Sequence, residues 1–108
     1  MPKYMYQVSY TSESWATQVA SPQDREQQVG QVVERLGGKI ETFYYTFGEY
    51  DIVLVADFPD DESAAALSLA ATSGGAVKSI KTTTLMTKSQ GMEAMRKAAG
   101  AGYRPPGG

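Results

Sequence analysis

The chain has 108 residues, of which 42% are apolar and 20% are charged, and its formal net charge is -2. These values are typical of one globular domain with a single core, and the slight negative charge argues against nucleic acid as a partner. The chain contains no cysteine and no histidine, which excludes disulfides, metal sites built on sulfur or imidazole, haem ligation by either residue and Ser-His-Asp hydrolysis. We therefore expect neither a bound metal nor a resident cofactor.

The sequence shows no targeting or membrane-spanning segment. Its N-terminal residues mix aromatic and polar side chains, without the basic and then apolar regions of a signal peptide. No apolar run approaches the ~18 residues that a membrane span needs. We expect a cytoplasmic protein with no membrane partner.

The first third of the chain predicts a strand and then a helix. In residues 3–11 every second side chain is apolar, which is the pattern of a β-strand; these side chains are Tyr4, Tyr6, Val8 and Tyr10. Helix-start signals follow twice, first in the hydroxyls of residues 11–14 and then at Ser21-Pro22. Apolar residues three and four apart predict the main helix over residues 22–36, which Gly37-Gly38 ends.

An aromatic hairpin is the most informative feature of the sequence. Residues 39–47 predict a strand rich in aromatic side chains, and residues 51–58 predict an apolar strand. Gly48 lies between them. We expect Gly48 to take a positive φ and to set a tight reversal of the chain.

The second half of the chain predicts one more helix and one more long strand. Acidic residues at positions 60–62 start an Ala-rich helix over residues 63–72, and Gly74-Gly75 ends it. Residues 76–87 predict a strand, and residues 89–99 predict a short amphipathic helix. Residues 100–108 form a Gly/Pro-rich tail with too little apolar content to order itself.

The predicted order is β-α-β-β-α-β, an α+β arrangement of the ferredoxin-like kind, in which two helices cover one face of a four-stranded antiparallel sheet. Residues 1–99 then form one domain. Both faces of the sheet carry apolar side chains, because Val53 and Val55 alternate with Ile52 and Leu54. Two helices cover only one face, so we expect two sheets to pack face to face in a homodimer or a higher homo-oligomer.

These elements carry a family resemblance. The chain resembles the GYD domain family over roughly residues 3–95, through Gly48-Glu49-Tyr50-Asp51, the helix end at residues 36–39, the apolar strand after the turn and the acidic start of the Ala-rich helix. The resemblance implies a dimeric α+β barrel. It implies no particular activity.

Candidate site residues lie among the tyrosines and at the turn. Tyr6, Tyr44 and Tyr50 are candidates to present hydroxyls in a cavity, and Asp51 is a candidate ligand anchor or base. Each has a structural alternative, which is packing for the tyrosines and acceptance of the backbone N–H groups of the turn for Asp51. We predict a non-catalytic protein that binds a small, mainly apolar ligand between the two sheets of the homodimer. The alternative is a cofactor-free monooxygenase or isomerase of the dimeric α+β barrel type.

Overall fold

The fold is known from a computed structural model, which describes residues 1–107 and has an α+β architecture. Gly108, the last residue of the predicted tail, lies outside the described residues. The elements in chain order are β1 (Lys3–Tyr10), α1 (Ser12–Ala20), α2 (Arg25–Arg35), β2 (Lys39–Tyr45), β3 (Ile52–Asp57), α3 (Asp61–Ser73), β4 (Val77–Leu85) and α4 (Lys88–Ala99).

The strands form one antiparallel sheet in the order β2-β3-β1-β4, so that β3 and β1 are central. The core lies between one face of this sheet and helices α2 and α3. The alternate side chains of β1 are buried on this face, as predicted. The core side chains are Tyr4, Tyr6, Val8 and Tyr10 of β1, Ile52, Leu54 and Ala56 of β3, Phe58 after β3, Val33 of α2, and Ala64 and Leu67 of α3.

The opposite face of the sheet also carries apolar side chains, as predicted. Met5 on β1 lies across from Val55 on β3, and both are half-buried. Tyr44 on β2 lies across from Val53 and is 64% exposed. This face therefore presents a mixed, partly apolar surface rather than a fully charged one.

A separate helix precedes the main one, and the main helix begins later than expected. The Thr11 side chain caps α1. The chain then leaves helical geometry at Ser21, where φ is -147° and ψ is 84°, because a residue before proline disfavours the α region. Asp24 caps α2. The predicted start at Pro22 is therefore wrong.

The glycine pair Gly37-Gly38 ends α2, as predicted. Gly37 has a φ of 83° and its N–H donates to the Glu34 carbonyl oxygen at 2.9 Å, while the Gly38 N–H donates to that of Val33 at 2.9 Å. These two bonds form a Schellman motif. The chain then passes so close to β3 that a Cβ at Gly38 would lie 2.4 Å from the Asp57 carbonyl oxygen.

The reversal between β2 and β3 differs from the prediction. Gly48 is not among the glycines with positive φ in residues 1–107, and a Cβ on it would meet nothing within 4 Å. The connection is a wider loop, closed by the Thr46 N–H donating to the Asp51 carbonyl oxygen at 2.8 Å. β2 accordingly ends at Tyr45. The prediction of a tight turn built on a glycine with positive φ is wrong.

Helix α4 projects from the rest of the fold. It makes almost no contact with other elements, and its side chains Met92 and Met95 are 47% and 71% exposed. The radius of gyration is 17.4 Å, against about 13 Å for a compact domain of 100 residues. None of the helices in residues 1–107 is both long and apolar enough to cross a membrane.

Candidate ligand-binding site

An apolar cavity lies between the sheet and helices α2 and α3. Its volume is about 420 Å³, within the range of ~300–1,000 Å³ that is common for small-molecule sites. Its walls are mainly aliphatic and aromatic and include Tyr6, Val29, Val32, Phe43 and Ile80. Protein interiors are normally close-packed, so an opening of this size needs a cause in the sequence.

The cause is a run of small residues at the C-terminal end of α3. Ala70, Ala71 and Gly74 line the cavity from this side. Val29 and Val32 line it from α2 and lie on one face of that helix. Larger aliphatic side chains on α3 would reach across to these valines, whereas alanine and glycine leave the space open.

Polar groups gather at one end of the cavity. Arg25, the first residue of α2, lines the wall together with Gln28 and Tyr10. Arg25 Nη1 donates to Gln28 Oε1, whereas the buried Arg25 Nε has no hydrogen-bond partner within residues 1–107. Burial raises the pKa of the Tyr10 hydroxyl above its ordinary value, although the Arg25 guanidinium acts in the opposite direction. The Tyr10 hydroxyl is therefore neutral at physiological pH.

A polar groove continues from this end of the cavity. Its volume is about 350 Å³, and it shares Arg25, Gly74 and Ala76 with the apolar cavity. The remaining lining consists mainly of hydroxyl and amide side chains with one carboxylate: Thr11, Glu13, Ser14, Thr17, Gln18, Gln23 and the backbone at Gly75. Arg25 thus stands where an apolar interior meets a polar surface.

The predicted site residue Tyr6 contributes its ring to the cavity wall. Its hydroxyl donates to the Ala64 carbonyl oxygen at 2.7 Å, and burial raises the pKa of this hydroxyl well above its ordinary value. The Tyr4 hydroxyl donates to the Asp61 carboxylate at 2.5 Å, which raises the pKa of Tyr4 to about 12. Both tyrosines therefore tie β1 to the start of α3, and neither is a base at neutral pH.

The predicted site residue Asp51 lies outside the cavity lining. Its carboxylate accepts from the Tyr10 N–H at 2.8 Å and from Trp15 Nε1 at 3.2 Å. Tyr10 is where the pairing of β1 with β4 shifts register. The Asp51 N–H in turn donates to the Val8 carbonyl oxygen at 2.8 Å. Asp51 thus connects the loop to the end of β1 and to α1, partners outside the turn whose N–H groups the structural alternative named.

Tyr44 and Tyr50 do not meet Tyr6 within one copy of the chain. Tyr44 stands on the opposite face of the sheet, and Tyr50 is half-buried in the loop, where its carbonyl oxygen accepts from the Thr46 hydroxyl. Neither residue lines the cavity. A role in ligand binding for Tyr44, Tyr50 and Asp51 stays a prediction.

One further observation bears on the chemistry of the site. Within residues 1–107, no three or more acidic, histidine or cysteine side chains gather closely enough to hold a metal ion.

The sequence patterns do not predict Arg25 or the small residues of α3 as site residues. The usable signal is the series Ala70, Ala71, Gly74, which places small residues beside the cavity at the C-terminal end of α3.

Together, the sheet and the helix-side cavity define a small α+β protein with an internal apolar cleft. Residues 4–95 match the family model described as GYD domain, and the chain belongs to this family. Its fold is also similar to the crystal structure of MtbAldR, with a TM-score of 0.58 and 16% sequence identity.

The match with MtbAldR covers 81% of this chain and 54% of that chain, so this chain spans about half the length of MtbAldR. At this level of identity the similarity shows the fold alone. No curated protein matches the chain.

Proposed function

We propose that this chain is a non-catalytic, homo-oligomeric protein that binds a small, mainly apolar molecule in the cavity between α2, α3 and the sheet. The observation that carries the proposal is the size and apolar lining of the cavity. A volume of about 420 Å³ equals about 14 water molecules at ~30 Å³ each. Walls of Val, Ile and Phe offer such waters few hydrogen bonds, so an apolar ligand that displaces them gains free energy.

The polar groups of the cavity support binding rather than catalysis. Among the described residues that line it there is no carboxylate, and its ionisable groups are Tyr6, Tyr10 and Arg25. Tyrosine hydroxyls are protonated at neutral pH, and burial moves the pKa of both hydroxyls further above that range. A monooxygenase or isomerase needs a group that accepts a proton from its substrate, and this lining supplies none.

The uncovered face of the sheet supports the oligomer. Val53, Val55 and Met5 are half-buried in a single copy, and the aromatic side chain of Tyr44, which lies across from Val53, is 64% exposed. Aromatic and aliphatic side chains of this kind are typical anchors of subunit interfaces. Two copies packed through this face would form the ferredoxin-like, dimeric α+β barrel that the family resemblance implies.

The test of the cavity uses octan-1-ol as a neutral probe and NMR of the isotope-labelled protein. We expect octan-1-ol to shift the resonances of Val29, Val32 and Ile80 and to leave those of Val53 on the opposite face in place. Ala71→Leu should abolish these shifts because the added atoms occupy the cavity. The matched control is Ala65→Leu on the exposed side of α3. Equal binding by both variants would contradict the proposed site.

The test of the oligomer is molar mass by light scattering at micromolar concentration. We expect about twice the 11.6 kDa of the chain. Val55→Glu places a charge in the proposed interface and should give the monomer mass. Leu69→Glu replaces an exposed leucine on α3 and should leave the mass unchanged. A wild-type mass of one chain would refute the dimer.

A further inference from the structure

We propose that the ligand of this cavity is amphipathic and anionic, with its apolar body between α2 and α3 and its negatively charged head paired with Arg25. This inference rests on the proposed function, and it adds the chemical class of the ligand. It follows from where Arg25 stands and from what its guanidinium lacks.

The first observation is position. Arg25 lines both the apolar cavity and the polar groove. A ligand whose body fills the cavity therefore has its head beside this guanidinium. Tyr10 and Gln28 stand in the same wall and offer further hydrogen-bonding groups to that head.

The second observation is an incomplete set of partners. Arg25 has five N–H donors in a planar fork that suits a carboxylate. Within residues 1–107, Arg25 takes part in no ion pair, and its side-chain hydrogen-bond partners, Gln28 and the Tyr10 hydroxyl, are neutral. The buried Nε donor has no acceptor there. A buried donor without an acceptor is costly, and an anionic head in the cavity mouth would relieve that cost.

The third observation is the local charge. The cavity lining contains no acidic side chain in the described residues, and the groove lining contains one, Glu13 on α1. The whole chain has a formal charge of -2, which weakly repels anions at a distance. A preference for an anion would therefore have to come from Arg25 itself.

The experiment compares three probes with the same eight-carbon body: octanoate, octan-1-ol and octylammonium. Dissociation constants are measured at pH 7 from the NMR shifts of the cavity residues. We expect octanoate to bind about tenfold more tightly than octan-1-ol, the gain of one charge-assisted hydrogen bond in a partly solvated site. Octylammonium should bind more weakly than octan-1-ol.

In Arg25→Met the affinity for octanoate should fall to the affinity of the same variant for octan-1-ol. Arg35→Met is the matched control, because it removes the same charge from the exposed end of the same helix. Arg25→Lys should keep part of the preference, since lysine retains the charge and loses the planar fork.

The outcomes separate this inference from the proposed function. Equal affinities for octanoate and octan-1-ol would leave the apolar site in place and overturn the anionic ligand. Tightest binding of octylammonium would overturn it in favour of Glu13. A preference for octanoate that survives Arg25→Met would remove Arg25 from the argument and overturn it as well. Failure of every probe to shift the cavity residues would refute the proposed function, and this inference with it.

Discussion

Gly38→Ala should be the most damaging small substitution in the chain. The new Cβ would lie 2.4 Å from the Asp57 carbonyl oxygen and 2.6 and 2.8 Å from two ring carbons of Phe58. Neither neighbour can move easily. The backbone of Asp57 is held between two strands, opposite Lys3 on β1 and Lys39 on β2, and the Phe58 side chain is fully buried.

The expected loss follows from this geometry. Overpacking a core usually costs about 1–3 kcal/mol, and contact with a strand backbone as well as a buried ring places Gly38→Ala at the upper end. A loss of about 3 kcal/mol lowers the melting temperature by about 12–24 °C in a domain of this size. The free energy of unfolding is measured by urea titration with circular dichroism, at one protein concentration because an oligomer's stability depends on it.

Gly48→Ala is the matched control for this experiment. A Cβ at Gly48 would meet no atom within 4 Å, and its φ is not positive. We expect its free energy of unfolding to stay within about 1 kcal/mol of the wild type, with a gain if the loss of unfolded-state freedom dominates. Similar melting temperatures for Gly38→Ala and Gly48→Ala would refute the close approach of the α2 end to β3.

Three further predictions concern the loop, the tyrosines and α4. Asp51→Ala should lower the free energy of unfolding by about 1–3 kcal/mol, because two N–H donors lose their acceptor, and Asp51→Asn should lose less in the same urea titration. Burial raises the pKa of the Tyr6 hydroxyl above the ordinary 10.0. The stability that the neutral hydroxyl contributes is therefore complete below pH 10 and is lost as the pH rises from there towards the folded-state pKa. Tyr6→Phe should make the urea midpoint less sensitive to pH in that range. Deletion of residues 88–108 should leave the free energy of unfolding within about 0.5 kcal/mol of the wild type, because α4 barely contacts the fold; a large drop would show that α4 packs on a second copy.

The sequence predicts those parts of the fold that depend on short-range patterns. The alternation of Tyr4, Tyr6 and Val8 identifies β1 and its buried face, because a strand places every second side chain on one side. The Gly37-Gly38 pair identifies the end of α2, since glycine readily takes the positive φ that follows a helix. Both features are decided by a few neighbouring residues.

The loop between β2 and β3 could not be predicted in the same way. A glycine flanked by strands suggests a tight turn, but here the loop is held by bonds to another part of the chain. The Ser9 hydroxyl donates to the Glu49 carbonyl oxygen at 3.2 Å, and the Asp51 N–H donates to that of Val8. These partners are about 40 residues apart in sequence, so only the folded sheet brings them together.

The candidate site was hidden from the sequence for a related reason. The cavity exists because the side chains of α2 and α3 do not fill the volume between these helices and the sheet. Ala70 and Ala71 are ordinary helix formers, and Arg25 is one of several charged residues in a mostly polar helix. These residues form a site only when α2 and α3 lie next to each other on one face of the folded sheet.

Asp51, in the segment that carries the family resemblance, contacts residues of the cavity wall without lining the cavity itself. Asp51 binds the backbone of Val8 and Tyr10, and both of these residues line the cavity. Tyr10 lies at the register shift of β1, where strand pairing alone holds the backbone less firmly. The Asp51 carboxylate accepts from the Tyr10 N–H and so helps to hold this part of the cavity wall, which Tyr10 and Arg25 share. For the proposed ligand site, Asp51 would therefore be a positioning residue that does not line the cavity.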